Sequence, residues 1–268
     1  MIFPTGKPHI SFSELKAWDQ CAHYHKLTYL DKVRLFKGNE YTAFGKAIHE
    51  VYEHNVNCLN EGTDPGDLIN RFKECFLNEL LTLKTDGQEL NKKLIGDLKN
   101  QGQSLANLAI PALKDYFGEF EIIKAEESIF EDIIEYEDNQ YQFKGFIDLV
   151  LKTPDGKYHV IDWKTCSWGW DARKRSDPMI TYQLTFYKKY YAQKHNIDPK
   201  NIETHFALVK RTAKKDFVEL FRVTSGPKKT KNALNLLQKA LYNIDSKLFV
   251  KNRLSCSRCE FLNTEHCK

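Results

Sequence analysis

The feature that most constrains the fold is a pair of apolar segments that flank a short turn and carry acidic residues. Residues 140–151 and 158–164 are rich in Ile, Phe, Tyr and Val, and a Pro-Asp-Gly turn centred on Asp155 separates them. This pattern predicts two antiparallel strands joined as a hairpin. Asp148 and Asp162 lie seven positions before and after the centre of the turn, so the hairpin places them opposite each other.

The two opposed carboxylates indicate a cation site. Side chains directly opposite on one sheet face have Cβ atoms about 4.5–5.5 Å apart, and like charges there are unfavourable without a positive group between them. Lys164 follows Asp162 by two residues and therefore points to the same face, whereas Trp163 points to the other. Carboxylate oxygens suit Mg²⁺ or Mn²⁺, and such an ion beside an ammonium favours phosphodiester chemistry. Scattered charges on a solvated hairpin are the alternative interpretation.

Helical and strand-like patterns alternate along the rest of the chain. Helices are predicted at residues 12–19, 23–30, 41–57, 68–83, 90–117, 179–195 and 228–248, with a kink at Pro111. Further strands are predicted at 121–134, 202–210 and 217–223, with a polar turn at 137–139 and a loop at 166–178. This order predicts an α/β fold with a mixed central β-sheet flanked by helices. We expect a single domain over residues 1–268, with a helical insertion at 60–120, a core at 121–225, and a C-terminal helix and cysteine tail at 226–268.

Composition and charge exclude several classes of protein. With 41% hydrophobic and 28% charged residues, the 268-residue chain has globular rather than disordered or coiled-coil composition. It has neither a run of about 18–20 apolar residues nor a basic and apolar leader. These absences predict a cytoplasmic protein without a membrane segment, either bacterial or a viral protein within an infected cell. Residues 206–268 hold 14 Lys and Arg against 5 Asp and Glu, a basic end that faces either nucleic acid or solvent.

The seven cysteines are unevenly placed. Cys256, Cys259 and Cys267 lie within twelve residues, and Cys21 is the distant candidate for a fourth ligand. Four thiolates can hold either a [4Fe–4S] cluster or a structural Zn²⁺, and His266 could replace a cysteine around zinc. Reduced thiols without a metal are the third possibility. The remaining cysteines have no such partners and are read as buried or incidental thiols: Cys58, Cys75 and Cys166.

Several motifs, in order along the chain, resemble those of the PD-(D/E)XK nuclease superfamily in its RecB-like branch. The core motifs are the Gly-Phe-Ile-Asp that ends at Asp148 and the Ile-Asp-Trp-Lys-Thr that contains Asp162. Three further segments fit that branch: its N-terminal segment at 11–21, its Gly-x-x-x-His helix ending at His49, and its Gln-x-x-x-Tyr helix at Gln183 and Tyr187. The resemblance implies a restriction-endonuclease-like core.

The resemblance also implies roles for individual residues. His49, Asp148, Asp162 and the backbone carbonyl of Trp163 would bind the Mg²⁺ or Mn²⁺ ion, and Lys164 would be the catalytic lysine. Either Glu126 or Glu127 would be an accessory acid. Gln183 and Tyr187 would reach the DNA backbone or support the site.

The cysteine pattern is similar to that of CRISPR-associated exonucleases, which hold a [4Fe–4S] cluster with one upstream and three C-terminal cysteines. Here seven residues separate Cys259 from Cys267, where that group usually has five. The resemblance implies a DNA nuclease, an exonuclease on single-stranded DNA or DNA ends, that acts in recombination, repair or replication. DNA-processing proteins are further expected partners. A non-catalytic DNA-binding subunit and a structural zinc protein with a chance Asp-x-Lys are the alternatives.

A basic and aromatic loop follows the second strand of the hairpin. Arg173, Lys174 and Arg175 are predicted DNA contacts, because cations hold phosphates. Trp168 and Trp170 lie beside them and are candidates for stacking on single-stranded bases. An ordinary solvated loop is the alternative.

Overall fold

A mixed six-stranded sheet forms the centre of the protein in a computed structural model that describes residues 3–137 and 140–268. The strands are β1 (His9–Ser11), β2 (Glu121–Asp132), β3 (Gln142–Lys152), β4 (Tyr158–Cys166), β5 (Ile202–Lys210) and β6 (Val218–Val223). Strand β2 is antiparallel to β3, β3 to β4 and β5 to β6, whereas β1 is parallel to β3 and β4 to β5. The predicted α/β fold with a mixed central sheet is confirmed.

One edge of β3 is shared by two strands. Strand β2 pairs along the whole of β3, so β1 and β4 must both pair with the other edge. Strand β1 pairs with residues 142–144 and β4 with residues 149–152. The edge of β3 between these stretches is left open, and Asp148 lies within it.

Helices cover both faces of the sheet. They are α1 (Phe12–Gln20), α2 (Ala22–His25), which continues as a π-helical turn (Lys26–Leu30), α3 (Glu40–Glu61), α4 (Leu68–Thr85), α5 (Lys92–Leu105), α6 (Ala109–Phe117), α7 (Ala172–Ser176), α8 (Pro178–His195) and α9 (Pro227–Asp245), with 3₁₀ turns at Pro199–Asn201 and Arg253–Arg258. Helices α1, α8 and α9 pack on one face, and α3 to α6 pack on the other. The segment predicted as a helical insertion thus contributes to the core on one face of the sheet. None of the helices in the described ranges is long and apolar enough to span a membrane.

The structure corrects three local predictions. The single helix expected at 90–117 is two helices, and Pro111 lies in the first turn of α6, where its missing N–H costs no helical hydrogen bond. Strand β1 was not predicted, and the loop expected at 166–178 contains α7. Ser11 caps α1 as expected, since its Oγ accepts a hydrogen bond from the Glu14 amide. The turn expected at 137–139 falls mainly outside the described residues.

Two glycines of α5 offer a matched test of how tightly the helical layer packs. A Cβ at Gly102 would lie 1.9 Å from the buried Phe72 ring, whereas a Cβ at Gly96 would have no neighbour within 4 Å. We expect Gly102→Ala to lower the free energy of unfolding by about 1–3 kcal/mol through overpacking. Gly96→Ala should instead raise it by about 0.5–1 kcal/mol because alanine favours the helix. Denaturant unfolding of both variants checks this, and equal effects would contradict the packing of α5 on α4.

Candidate active site

The hairpin of β3 and β4 has the predicted register. Leu149 pairs with Ile161 and Val150 with Val160, which centres the turn on Asp155. The pairing between β3 and β4 ends at Leu149 and Ile161. Beyond this pair, the Asp148 carboxylate takes the place of a backbone carbonyl as hydrogen-bond acceptor. Its Oδ2 accepts a hydrogen bond from the Trp163 amide at 2.7 Å. The regular pairing of the two strands therefore ends where the acidic residues lie, and we call this place the cleft.

Helix α3 brings His49 to this cleft. A Cβ at Gly45 would lie 3.3 Å from Thr165 Oγ1, so glycine allows the helix to approach β4 closely. One turn later, His49 Nδ1 is 3.7 Å from Asp148 Oδ2. Burial lowers the pKa of His49, and this effect exceeds the opposing influence of the Asp162 charge. The imidazole is therefore held in its neutral form, which is the form that binds metals.

Asp162 is the most buried acid of the cleft. Its side chain is 2% exposed, and Lys164 Nζ lies 2.6 Å from its Oδ2. Gln183 donates a hydrogen bond to its Oδ1 at 2.9 Å. The Lys164 ammonium is the partner described for Oδ2, and it already compensates the charge of this oxygen. A carboxylate oxygen has two lone pairs, so Oδ2 can bind a cation as well.

The charges of the cleft influence one another strongly. Burial raises the pKa of Asp148 well above its usual value, and the nearby Asp162 raises it further. Burial alone would lower the pKa of Lys164, but the charges of Asp162 and Asp148 more than offset this and raise it. Two carboxylates thus share one ammonium, an arrangement in which a divalent cation would relieve the repulsion.

The ligand atoms do not form a closed cation cage. Within the described residues, His49, Asp148 and Asp162 do not offer ligand atoms that all lie within 4.8 Å of one another. Lys164 and Gln183 engage Asp162 instead. The donor set, one imidazole and two carboxylates, still fits a divalent cation by its chemistry.

Gln183 and Tyr187 support the acidic group from α8. The Gln183 amide donates to Asp162 Oδ1 and also to Tyr187 Oη, the latter at 3.0 Å. Tyr187 is only 6% exposed. A Cβ at Gly145 would lie 2.7 Å from the Tyr187 ring, so the glycine of the β3 motif leaves room for this tyrosine. This geometry favours the supporting role over direct contact with DNA.

A comparison of the chain with known protein families supports an active site at these residues. A profile of the PD-(D/E)XK nuclease superfamily matches residues 9–264, which include every residue of the cleft. The chain belongs to the PD-(D/E)XK nuclease superfamily. Nucleases of this superfamily generally use divalent metals such as Mg²⁺ or Mn²⁺. No curated protein sequence matches the chain significantly.

The solved structures that resemble this PD-(D/E)XK nuclease include the following two. One is a crystal structure of an Eubacterium rectale protein whose assignment as an exonuclease is provisional. It aligns with 94% of this chain and 86% of its own, with a TM-score of 0.60 and 12% identity. The crystal structure of SSO0001 aligns with 95% of this chain and 84% of its own, with a TM-score of 0.43 and 11% identity. At such identities the first likeness shows a shared fold, and the second adds nothing to it.

The structure distinguishes the two candidate accessory acids of the nuclease. Ala125 pairs with Leu149 and Glu127 with Ile147, so Glu126 is level with Asp148. Glu126 makes no pair of its own and has a positive φ of 51°, an uncommon conformation outside glycine. Its negative charge contributes to the raised pKa of Asp148.

Glu127 is occupied elsewhere. Its Oε1 accepts contacts from Lys194 and His195 at the end of α8, each at 2.8 Å. Its side chain is mostly buried, whereas Glu126 is exposed beside the cleft. These contacts favour Glu126 as the acid that can reach the site.

The basic loop is divided between surface and core. Arg173 and Lys174 are exposed on α7, and Lys174 Nζ lies 4.7 Å from the centre of the Trp170 ring. Arg175 instead donates to the Trp170 carbonyl at 2.8 Å and contacts Glu219. Its guanidinium is therefore already paired, which favours a structural role. All three residues remain predicted DNA contacts.

The two tryptophans of this loop also differ. Trp168 is 68% exposed and available to a base. Trp170 is 8% exposed and packs against Phe206, with ring centres 5.1 Å apart. The expectation that both rings stack on bases is therefore wrong for Trp170, because the aromatic core on this face of the sheet covers it.

Four predicted cysteine ligands meet between the two ends of the chain. Cys21, Cys256, Cys259 and Cys267 line one cavity of about 80 Å³, and none of them forms a disulfide. No three of these sulfur atoms are mutually within 4.8 Å, judged over the described residues. Four thiolates around one zinc ion would be about 3.8 Å apart, given Zn–S distances of about 2.3 Å. The four thiols therefore lie near one another without the spacing of a closed zinc site.

Direct contacts already attach the tail to the N-terminal helices. Asn252 donates to the Gln20 carbonyl at 2.9 Å, and Tyr24 donates to Glu260 at 3.1 Å. Phe261 is fully buried against Tyr24. The sequence pattern named the four cysteines, but it held no signal for these supporting contacts.

Proposed function

We propose that this PD-(D/E)XK nuclease is a Mg²⁺- or Mn²⁺-dependent DNA exonuclease that acts on single-stranded DNA or DNA ends. The observation that carries the proposal is the group formed by the buried Asp162 carboxylate, Lys164 Nζ at 2.6 Å from it, and Asp148, whose pKa the Asp162 charge helps to raise. The motif resemblance to the RecB-like branch supports exonuclease action. Recombination, repair or replication is the cellular context that fits such an activity.

The residues of the cleft have separate tasks in phosphodiester hydrolysis. His49, Asp148, Asp162 and the Trp163 carbonyl would hold the cation. When bound, the cation supplies a Lewis acid for the scissile phosphate and acidifies water. Lys164 Nζ would orient the attacking water and stabilise negative charge that develops on the phosphate. Gln183 and Tyr187 would keep Asp162 in place through the hydrogen bonds described above.

Exposed groups beside the cleft would contact the strand. Arg173 and Lys174 would bind phosphates, and Trp168 would stack on an unpaired base. Because every base has an aromatic face, such contacts recognise single strands with little dependence on sequence. This arrangement supports a nuclease with little sequence preference over one that reads a specific site.

We further propose that the four-cysteine cavity holds a [4Fe–4S] cluster. The supporting observation is that four free thiols line one cavity, in the order along the chain that resembles CRISPR-associated exonucleases. Its role would be to join the C-terminal tail to the N-terminal helices, because the cavity lies between them.

Digestion of labelled DNA tests the nuclease proposal directly. Anaerobically purified protein would be incubated with 5′- and 3′-end-labelled single- and double-stranded DNA in Mg²⁺, Mn²⁺ or EDTA. We expect progressive shortening of the single strands that requires the metal, and the label that is lost first gives the polarity. Tight DNA binding without cleavage under every metal condition would instead support a non-catalytic DNA-binding subunit.

The accessory role of Glu126 predicts a difference between neighbouring glutamates. We expect Glu126→Gln to reduce the rate of DNA cleavage by about 10- to 100-fold, as loss of a group that supports a metal site does. Glu127→Gln should leave the cleavage rate within about twofold and lower stability slightly, because Glu127 pairs with Lys194 and His195. Single-turnover cleavage and thermal unfolding separate the two effects. Equal cleavage rates for the two variants would contradict the assignment.

A further inference from the structure

Three side chains of the kinds that bind metals meet on strands β4 and β5, away from the nuclease motifs. His159 Nδ1 lies 3.1 Å from His205 Nε2 and 4.0 Å from Glu203 Oε2. The three ligand atoms are all within 4.8 Å of one another, the one such group of three His, Cys, Asp or Glu residues in the described ranges. Both histidines are buried, at 6% and 2% exposure.

This cluster, His159 with Glu203 and His205, is separate from the nuclease cleft. His159 precedes Asp162 by three residues on β4, so the two side chains leave opposite faces of the sheet and lie on the order of 10 Å apart along the strand. The parallel register pairs His159 with Glu203 and Ile161 with His205. Phe117, at the end of α6, packs against both histidine rings.

The hydrogen bonds around His159 prepare it as a ligand. The Thr153 hydroxyl has two acceptors for its proton, the Asp155 carboxylate and the Lys157 carbonyl. We therefore assign Thr153 Oγ1 as the acceptor for His159 Nε2, which lies 2.9 Å away. Neutral His159 then carries its proton on Nε2, and Nδ1 presents a bare lone pair towards His205. Metal-binding histidines typically donate their second nitrogen to such a partner.

The other two ligand atoms are also available. Without a metal, His205 Nε2 can donate its proton to His159 Nδ1 at 3.1 Å. His205 Nδ1 is buried without a hydrogen-bond partner, so a metal on Nε2 would break no further hydrogen bond when the proton moves to Nδ1. Glu203 Oε1 is held by Lys157 at 3.0 Å and Arg222 at 3.1 Å, which leaves Oε2 on the side of His159. Burial lowers the pKa of His205 to about 3 and also lowers that of His159, so both rings are neutral near pH 7.

The spacing suits a transition metal. Ligand nitrogens about 2.0–2.1 Å from a tetrahedral zinc ion are about 3.3 Å apart, close to the 3.1 Å between the two imidazole nitrogens. Two imidazoles favour zinc or nickel over Mg²⁺, which prefers oxygen ligands. The charges of Lys157 and Arg222 also offset the single carboxylate and weaken the attraction for a hard ion.

We propose that His159, Glu203 and His205 form a second metal site that binds Zn²⁺ or a similar imidazole-binding ion. The site would link β4, the strand that carries Asp162 and Lys164, to β5. It is independent of the nuclease activity, because none of its ligands contacts the cleft residues.

Zinc binding to the full chain tests this site. Protein stripped of loosely bound metal would be titrated with Zn²⁺ in excess Mg²⁺, with zinc per chain and the unfolding temperature as readouts. We expect His205→Gln to bind one zinc ion fewer than the unaltered chain. His9→Gln should bind the full number, because His9 lies outside the cluster. We expect Asp162→Asn and Cys256→Ala to keep the zinc ion that His205→Gln loses.

A second, milder variant tests the same site in case His205→Gln does not fold. Thr153→Val keeps the shape of the side chain but removes the acceptor for His159 Nε2, and we expect it to weaken zinc binding at this site by about 10- to 100-fold. A merely structural role for Thr153 would leave zinc affinity unchanged. Equal zinc content in the unaltered chain and folded His205→Gln, or unchanged affinity in Thr153→Val, would show a hydrogen-bonded histidine pair only and overturn the proposal.

Discussion

Replacement of Lys164 with methionine is expected to reduce the rate of DNA hydrolysis in Mg²⁺ by at least about a hundredfold, the usual cost of removing one group that stabilises developing charge. Methionine keeps most of the side-chain length but has no ammonium. The Asp162 carboxylate, which lies 2.6 Å from Lys164 Nζ, remains to bind the cation. DNA binding should therefore survive while cleavage is lost.

Lys124→Met is the matched control for this variant. Lys124 is an exposed lysine of β2, and its replacement should leave the cleavage rate within about twofold. Single-turnover cleavage of end-labelled DNA, DNA binding and circular dichroism are measured for both variants. Because Lys164 also compensates the buried Asp162 charge, some loss of stability is expected, and the circular dichroism spectrum shows whether the fold is kept. Full cleavage by Lys164→Met would remove Lys164 from the mechanism.

Replacement of Cys256 with alanine is expected to abolish the iron content of anaerobically purified protein. The unaltered chain should contain about four iron atoms and equivalent sulfide, with a brown colour. A ligand whose free concentration is a hundred times its dissociation constant adds about 3 kcal/mol to the free energy of unfolding, and this contribution is lost with the ligand. In a chain of this length that corresponds to a fall of roughly 5–10 °C in unfolding temperature.

Cys75→Ala is the control for the cluster experiment. Cys75 does not line the four-cysteine cavity, so its variant should keep both iron and colour. Zinc in place of iron in the unaltered protein would support the structural zinc alternative. Undiminished iron in Cys256→Ala would contradict the proposed ligand set.

The accuracy of the sequence-based predictions depended on how local the determining contacts are. The β3–β4 hairpin was predicted to the correct register because a short turn fixes which residues pair. For the preceding hairpin, of β2 and β3, the sequence predicted the strands and the turn but no register. Its observed pairing is centred on residue 137, whereas the turn had been predicted at 137–139, and a shift of one residue in the centre moves the partner of Asp148 by two residues. The choice between Glu126 and Glu127 therefore required the structure.

Helix boundaries and buried aromatic rings also depend on contacts that the local sequence does not show. The helical periodicity of 90–117 predicted helix correctly but could not show that the chain turns at 106–108 between α5 and α6. Trp170 lies in a polar, basic segment, yet the ring packs into the core against Phe206. Burial of this ring depends on Phe206 of β5 and Phe221 of β6, which lie far along the chain.

The sequence by itself determined the local chemistry: a hairpin with opposed aspartates, a lysine on the same face, and a cysteine pattern at the two ends of the chain. The tertiary structure decided which groups act on them, including Gln183 on Asp162, Glu126 beside Asp148, and the cluster of His159 with His205. Strands β4 and β5 are parallel and are joined through α7 and α8, so no local turn sets their register. Contacts between the residues of β4 and those of β5 therefore form only when the helices pack on the sheet.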